Sequence, residues 1–224
     1  MKITAEHSPT TDGHGRRRTE DGFSAIELMM VLLIFTVLTA AALSLSSDAQ
    51  NKLWNAQGSS DLLDSGLRAL TQMKREIRLA GHPDAGSFSA SAVSNHPGIA
   101  ARSFTAASGY DLVFEGDVNG DGQVEQVEYK LAAGSQALVR SVTPKNPDGT
   151  IPAGSTISQT LLSNVQNQTT GQPVFSWSTN PLSQSPFPQN IRTVYVNLIL
   201  QTGSGGSSVA ASLALATACE RMSP

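Results

Sequence analysis

The chain has 224 residues and a formal net charge of −3, with 39% hydrophobic, 15% charged and 5% aromatic residues. That length holds one ordinary domain plus a helical extension, and a core diluted by 19 Gly and 11 Pro suits a loop-rich β domain better than a helical enzyme core. No basic stretch lies beyond the first 22 residues, so an electrostatic footprint for nucleic acid is missing, and the single cysteine, Cys219, excludes an internal disulfide.

Residues 1–22 show no apolar periodicity and read as a leader kept out of the fold. Arg16, Arg17 and Arg18 sit near its end, followed by Glu20 and Asp21. Residues 23–45 are then mainly apolar, about 35 Å of helix at ~1.5 Å per residue, enough to span a bilayer. The arginines before the span predict a cytoplasmic leader and an outer location for the rest. One feature resists a plain membrane reading. Glu27 is the only formal charge in the run, and an ionised carboxylate at membrane depth costs about 2.5–3.5 kcal/mol even on lenient scales. A secretory signal cut near Ala40-Ala41-Ala42 expects a shorter apolar stretch, and a simple anchor leaves the acid unexplained.

The run Gly22-Phe23-Ser24-Ala25-Ile26-Glu27-Leu28-Met29-Met30-Val31 resembles the class III signal of type IV prepilins. That resemblance implies cleavage after Gly22 by prepilin peptidase and methylation of the new terminus at Phe23. Glu27 becomes the fifth mature residue, a counter-ion for the amine of its own or an adjacent subunit and hence a registry device for assembly. Pairing two poorly solvated charges is worth more than at a surface, and an unpaired one is costly. The leader is long for this class. The proline often found in pilins at the place of Ser44 is missing, with none between Phe23 and Pro83, which predicts a more continuous helix.

Beyond residue 46 the chain turns polar but keeps a helical rhythm. Leu63, Leu67, Leu70, Met73, Ile77 and Ala80 recur at three and four and predict one apolar face against a sheet. Lys74, Arg75, Glu76 and Arg78 are expected on the other sides. Gly58-Ser59-Ser60 is a candidate kink, and Gly81 followed by Pro83 marks the stop. The run Lys74 to Pro83 resembles the end of the long helix in PilW-type minor pilins, with His82 as a capping or solvent-facing residue.

Strands are predicted at 110–115, 124–131, 136–142, 173–178 and 192–201, with loops at 84–99, 143–155, 179–190 and 202–208. Strands without helical patterns between them imply an antiparallel sheet. The expected architecture is α+β and pilin-like: leader 1–22, transmembrane helix 23–45, amphipathic helix 46–81 and a β-rich outer domain 82–224.

Residues 117–128 match D-x-[DN]-x-[DN]-G-x5-E in full. Oxygen ligands at alternating positions, a glycine for the turn and a bidentate final Glu are what Ca²⁺ requires. The candidate ligands are Asp117, Asn119, Asp121, the carbonyl of Gln123 and Glu128, with Glu125 as a spare. The flanks alternate like strands, so the segment reads equally as a tight Asp/Asn/Gly hairpin turn. Beyond calcium the sequence suggests no cofactor, and enzyme signatures (HExxH, GxSxG, a P-loop) are absent from it. The resemblance therefore predicts a non-enzymatic minor pilin that enters the inner membrane and then a pilus, with prepilin peptidase and other pilin subunits as partners. Two alternatives stand beside it: a type II secretion pseudopilin of the GspJ kind, and a membrane-anchored calcium-dependent adhesin that never enters a filament.

Overall fold

The computed structural model describes residues 24–181, 183, 185–201 and, as backbone, 213–220. The leader, Gly22 and Phe23 lie outside the described residues. The protein is α+β, and it divides into two units between Gln50 and Asn51.

Helix α1 runs Ala25–Arg78. Its first turn opens with the Glu27 and Leu28 amides donating to the Ser24 carbonyl at 2.9 and 3.1 Å. In the first unit its apolar side chains, Ile26 through Leu45, are all exposed, and this stretch is long and apolar enough to cross a membrane or to act as a signal. Two hydroxyls in the run are satisfied locally. Thr36 Oγ1 donates to the Leu33 carbonyl at 2.8 Å and Thr39 Oγ1 to the Phe35 carbonyl at 2.7 Å, so neither needs water.

In the second unit the helix continues through Gly58-Ser59-Ser60 without a break. Its buried stripe is rotated from the expected one. It passes through Leu62, Gly66, Ala69, Leu70, Met73, Glu76, Ile77 and Ala80, whereas Leu63 and Leu67 face outward at 38% and 46% exposure. Leu70, Met73 and Ile77 carry the apolar contact of this stripe, and Leu63 and Leu67 fall beside it. Glu76, expected on a polar side, is 1% exposed. After Arg78 the chain tightens into i−3 turns, and Gly81 takes the left-handed φ of +81° that a glycine tolerates.

Short turns and helix α2 (Ala90–Asn95, capped by Ser89) occupy the segment expected as loop. A five-stranded antiparallel meander follows: β1 (Phe104–Ser108), β2 (Asp111–Gly116), β3 (Glu125–Leu131), β4 (Leu138–Pro144) and β5 (Ile157–Leu162), paired in that order. A second antiparallel sheet has β7 (Ile191–Leu200) between β6 (Phe175–Thr179) and β8 (Leu213–Glu220). The single sheet expected from sequence is thus two. Of the described strands, β1, β5 and β8 were not expected. One core joins helix and both sheets, and Met73 and Ile77 belong to the same buried cluster as Phe104, Phe114, Tyr129, Phe175, Val196 and Leu198. The sheets are tied where the Val174 and Phe175 amides both donate to the Gly109 carbonyl, and buried Asn167, in the connection from β5 to β6, bonds Asn197 and Ile199 of β7.

Candidate functional site

Three groups of polar residues stand out, and two of them meet at the end of α1. The first is the loop between β2 and β3. Gly120 and Gly122 take φ of +78° and +85°, which lets the chain curl over its own side chains. Asp117 accepts from the Gly120 and Gly122 amides at 2.7 and 3.0 Å, Asn119 Oδ1 from Asp121 at 2.9 Å, and Asp121 Oδ1 from Gln123 at 2.7 Å. The outcome is a convergence of carboxylate oxygens from Asp117, Asp121 and Glu125, all within 4.8 Å of one another.

The motif's twelfth residue is not among them. β3 begins at Glu125, so Glu128 stands three residues up the strand, about 10 Å from the loop at ~3.3 Å per residue. There it pairs across from Val113 and meets Lys130 Nζ at 3.1 Å. Glu125, the spare in the sequence reading, takes the place instead. It is 3% exposed, accepting from the Val118 amide at 3.0 Å and from Asn119 Nδ2 at 2.9 Å. Burial pushes its carboxyl above the ordinary range, helped by the charges of Asp121 and Asp117 and opposed by the Val118 amide. Gln123 gives its amide to Asp121 and its side chain to the Lys145 carbonyl at 3.3 Å.

Three mutually repelling carboxylates and an amide form a donor set that fits a hard, oxygen-preferring cation. Asn119 Nδ2 lies 2.9 Å from both Asp121 Oδ2 and Glu125 Oε1, so presenting an oxygen to such a cation requires its amide to rotate by half a turn.

The loop is fastened to the end of α1. The Gly81 amide donates to the Glu115 carbonyl at 2.8 Å and the Asp117 amide to the His82 carbonyl at 2.9 Å. Gly116 lies against Leu79 so closely that a Cβ there would stand 2.5 Å from the Leu79 carbonyl oxygen. Beside this junction is the second group, a buried ion pair: Lys145 Nζ, 2.7 Å from Glu115 Oε2, with the Arg102 amide donating to the same oxygen at 2.8 Å. His82 gives the junction only backbone bonds among those described.

The third group holds α1 to the middle of the large sheet. Tyr129 and Arg140 face each other across β3 and β4. The Tyr129 hydroxyl donates to Glu76 Oε2 at 2.5 Å, Arg140 Nε to the same oxygen at 2.8 Å, and Gln72 Nε2 to Oε1 at 3.1 Å. Burial, then the neighbouring Glu76 charge, holds the Tyr129 hydroxyl far above the usual phenol range. Sequence reasoning missed Glu76 because its helical neighbours Lys74, Arg75 and Arg78 are exposed. The signal was its position: three residues after Met73 and one before Ile77, inside the buried stripe.

Glu27 stands exposed in the first turn of α1, where the helix dipole favours an acid. Comparison with protein-family models, curated proteins and solved structures gives no match.

Proposed function

We propose that the chain is a minor type IV pilin-like subunit, non-enzymatic, cleaved between Gly22 and Phe23 by prepilin peptidase and N-methylated there. The observation that carries this reading is the division of labour along α1. One half exposes an unbroken apolar surface marred only by Glu27, and the other half lies in the core of a β-rich domain. A helix with those two faces suits a subunit stored in the inner membrane, leader inward and outer domain in the periplasm, and later bundled by its apolar half with other pilin subunits. The type II secretion pseudopilin is the same design in a different machine. Intact mass of the membrane-extracted protein tests the reading: the chain should begin at a methylated Phe23, and Gly22→Ala should retain the leader. A chain uncut, or cut near residue 42, overturns it.

The β2–β3 loop supports a second element, a resident Ca²⁺. Asp117, Asn119, Asp121 and Glu125 would hold it, and the cation would offset the repulsion among three carboxylates. A rise in melting temperature on adding Ca²⁺ that Glu125→Gln abolishes and Glu128→Gln leaves intact is the expected result. No rise with the unaltered protein removes calcium from the proposal, and with it the calcium-dependent adhesin.

A further inference from the structure

Asn119 is the only asparagine in the chain that is followed by glycine. The β2–β3 loop leaves both residues exposed, and a Cβ on Gly120 would meet nothing within 4 Å. The Gly120 nitrogen is thus open to reaction on a side that any larger residue would shield. The Asp121 amide donates to Asn119 Oδ1 at 2.9 Å. Such a bond from the amide two residues on mimics a backbone turn and folds the carboxamide back over the intervening peptide, bringing Cγ toward the Gly120 nitrogen. That nitrogen donates its proton to Asp117 Oδ1 at 2.7 Å. The other end of the carboxamide, Nδ2, lies 2.9 Å from both Asp121 Oδ2 and Glu125 Oε1. Every atom that takes part in an attack of nitrogen on Cγ therefore has its place: the nucleophile beside a carboxylate, and the carbonyl oxygen beside an N–H donor.

We infer that Asn119 is a self-modification site, deamidated in the folded protein through a cyclic imide formed with Gly120. The Gly120 nitrogen gives its proton to the Asp117 carboxylate and bonds to Asn119 Cγ, while the Asp121 N–H stabilises the charge that gathers on Oδ1. The Cγ–Nδ2 bond then breaks. The departing nitrogen takes up one proton from water and leaves as ammonia, and Asp117 returns its own proton to water. A water molecule opens the imide at one of its two C–N bonds. Opening at Cγ leaves an aspartate in the ordinary chain, and opening at the main-chain carbonyl leaves an isoaspartyl linkage that runs through the side chain. One water is consumed, one ammonia is released, and nothing is oxidised or reduced. The product alters the loop. In the aspartyl form an oxygen replaces the Nδ2 that faces Asp121 and Glu125, so two attractive contacts become repulsive. In the isoaspartyl form an extra methylene enters the main chain of the loop. The reaction needs no cation, so it stands or falls apart from the calcium reading.

The test is incubation of the full-length protein in detergent and chelator at mildly alkaline pH, with mass spectrometry of the tryptic peptide 103–130, in which Asn119 is the only asparagine. Exchange of the amide for an acid, localised to Asn119 by fragmentation, is expected to run about tenfold faster in the folded protein than in the chain unfolded by urea, because position and base are supplied only by the fold. Asp117→Asn keeps an acceptor for the Gly120 amide but no base, and should slow the folded reaction about tenfold. Melting temperatures above that of the incubation keep the comparison among folded proteins. An intact Asn119 in the folded protein, a rate no faster than in urea, or a rate unchanged in Asp117→Asn overturns the inference.

Discussion

Glu76 and Glu125 are both carboxylates with almost no exposure, yet their surroundings ask opposite things of them. Glu76 meets a guanidinium, a phenol and an amide, so its charge is matched and its loss strands Arg140, whose side chain is only 17% exposed. Glu76→Ala is expected to lower unfolding free energy by about 3 kcal/mol in urea titration, the scale for breaking one half of a buried pair. Glu125 instead faces two aspartates, and its carboxyl sits above its ordinary value. Between the unfolded and folded values the unfolded chain has already lost the proton that the folded chain keeps, so ionisation works against folding there. Metal-free protein should therefore gain stability as pH falls through that window from above, while the Ca²⁺ affinity measured by calorimetry should drop, since binding needs the ionised form. Opposite pH trends for the two quantities are the expected signature. Parallel trends would exclude Glu125 as a ligand.

At the scale of elements, the joint between α1 and β2 is made by backbone rather than by side chains, which explains a glycine that is neither in a turn nor at positive φ. Gly116→Ala forces a methyl to within 2.5 Å of the Leu79 carbonyl oxygen, and a cost of about 1–3 kcal/mol in thermal unfolding follows from such overpacking. Gly120→Ala meets no atom within 4 Å and pays only for its left-handed backbone, so its loss should be smaller. Much of this level was legible in the sequence. The long apolar run and the Gly81-His82-Pro83 stop placed the helix, and the alternation of Val127, Tyr129 and Leu131 placed β3. The strands that escaped lacked that contrast. β1 is short and alanine-bearing, β8 is mostly Ala and Leu, and Ile157–Thr160 of β5 is exposed on every residue. The loop's final acid was half legible, since the strand-like alternation around Glu128 already set it apart and Glu125 stood as the spare. A motif counts positions along the chain, whereas the antiparallel register decides that Glu125 closes the loop and Glu128 departs with the strand.

For the molecule as a whole, the apolar half of α1 and the β-rich unit make separate demands that a single substitution can pull apart. On the proposed pilin-like reading, Glu27→Ala leaves Gly22 and Phe23 in the sequence, so processing should proceed and the intact mass should match a cut chain. Recovery of the subunit in sheared filaments should fall at least about tenfold if an unpaired amine must then be buried. Normal recovery would remove the registry role. The buried pair beside the helix end also has a practical use. Lys145 is 3% exposed, whereas Lys130 is 51% exposed at its side chain. An amine-reactive reagent should acylate Lys130 within moments and reach Lys145 only when the joint between helix and sheet opens. The ratio of the two labelled peptides then becomes a clock for that opening, readable on the full-length protein without unfolding it.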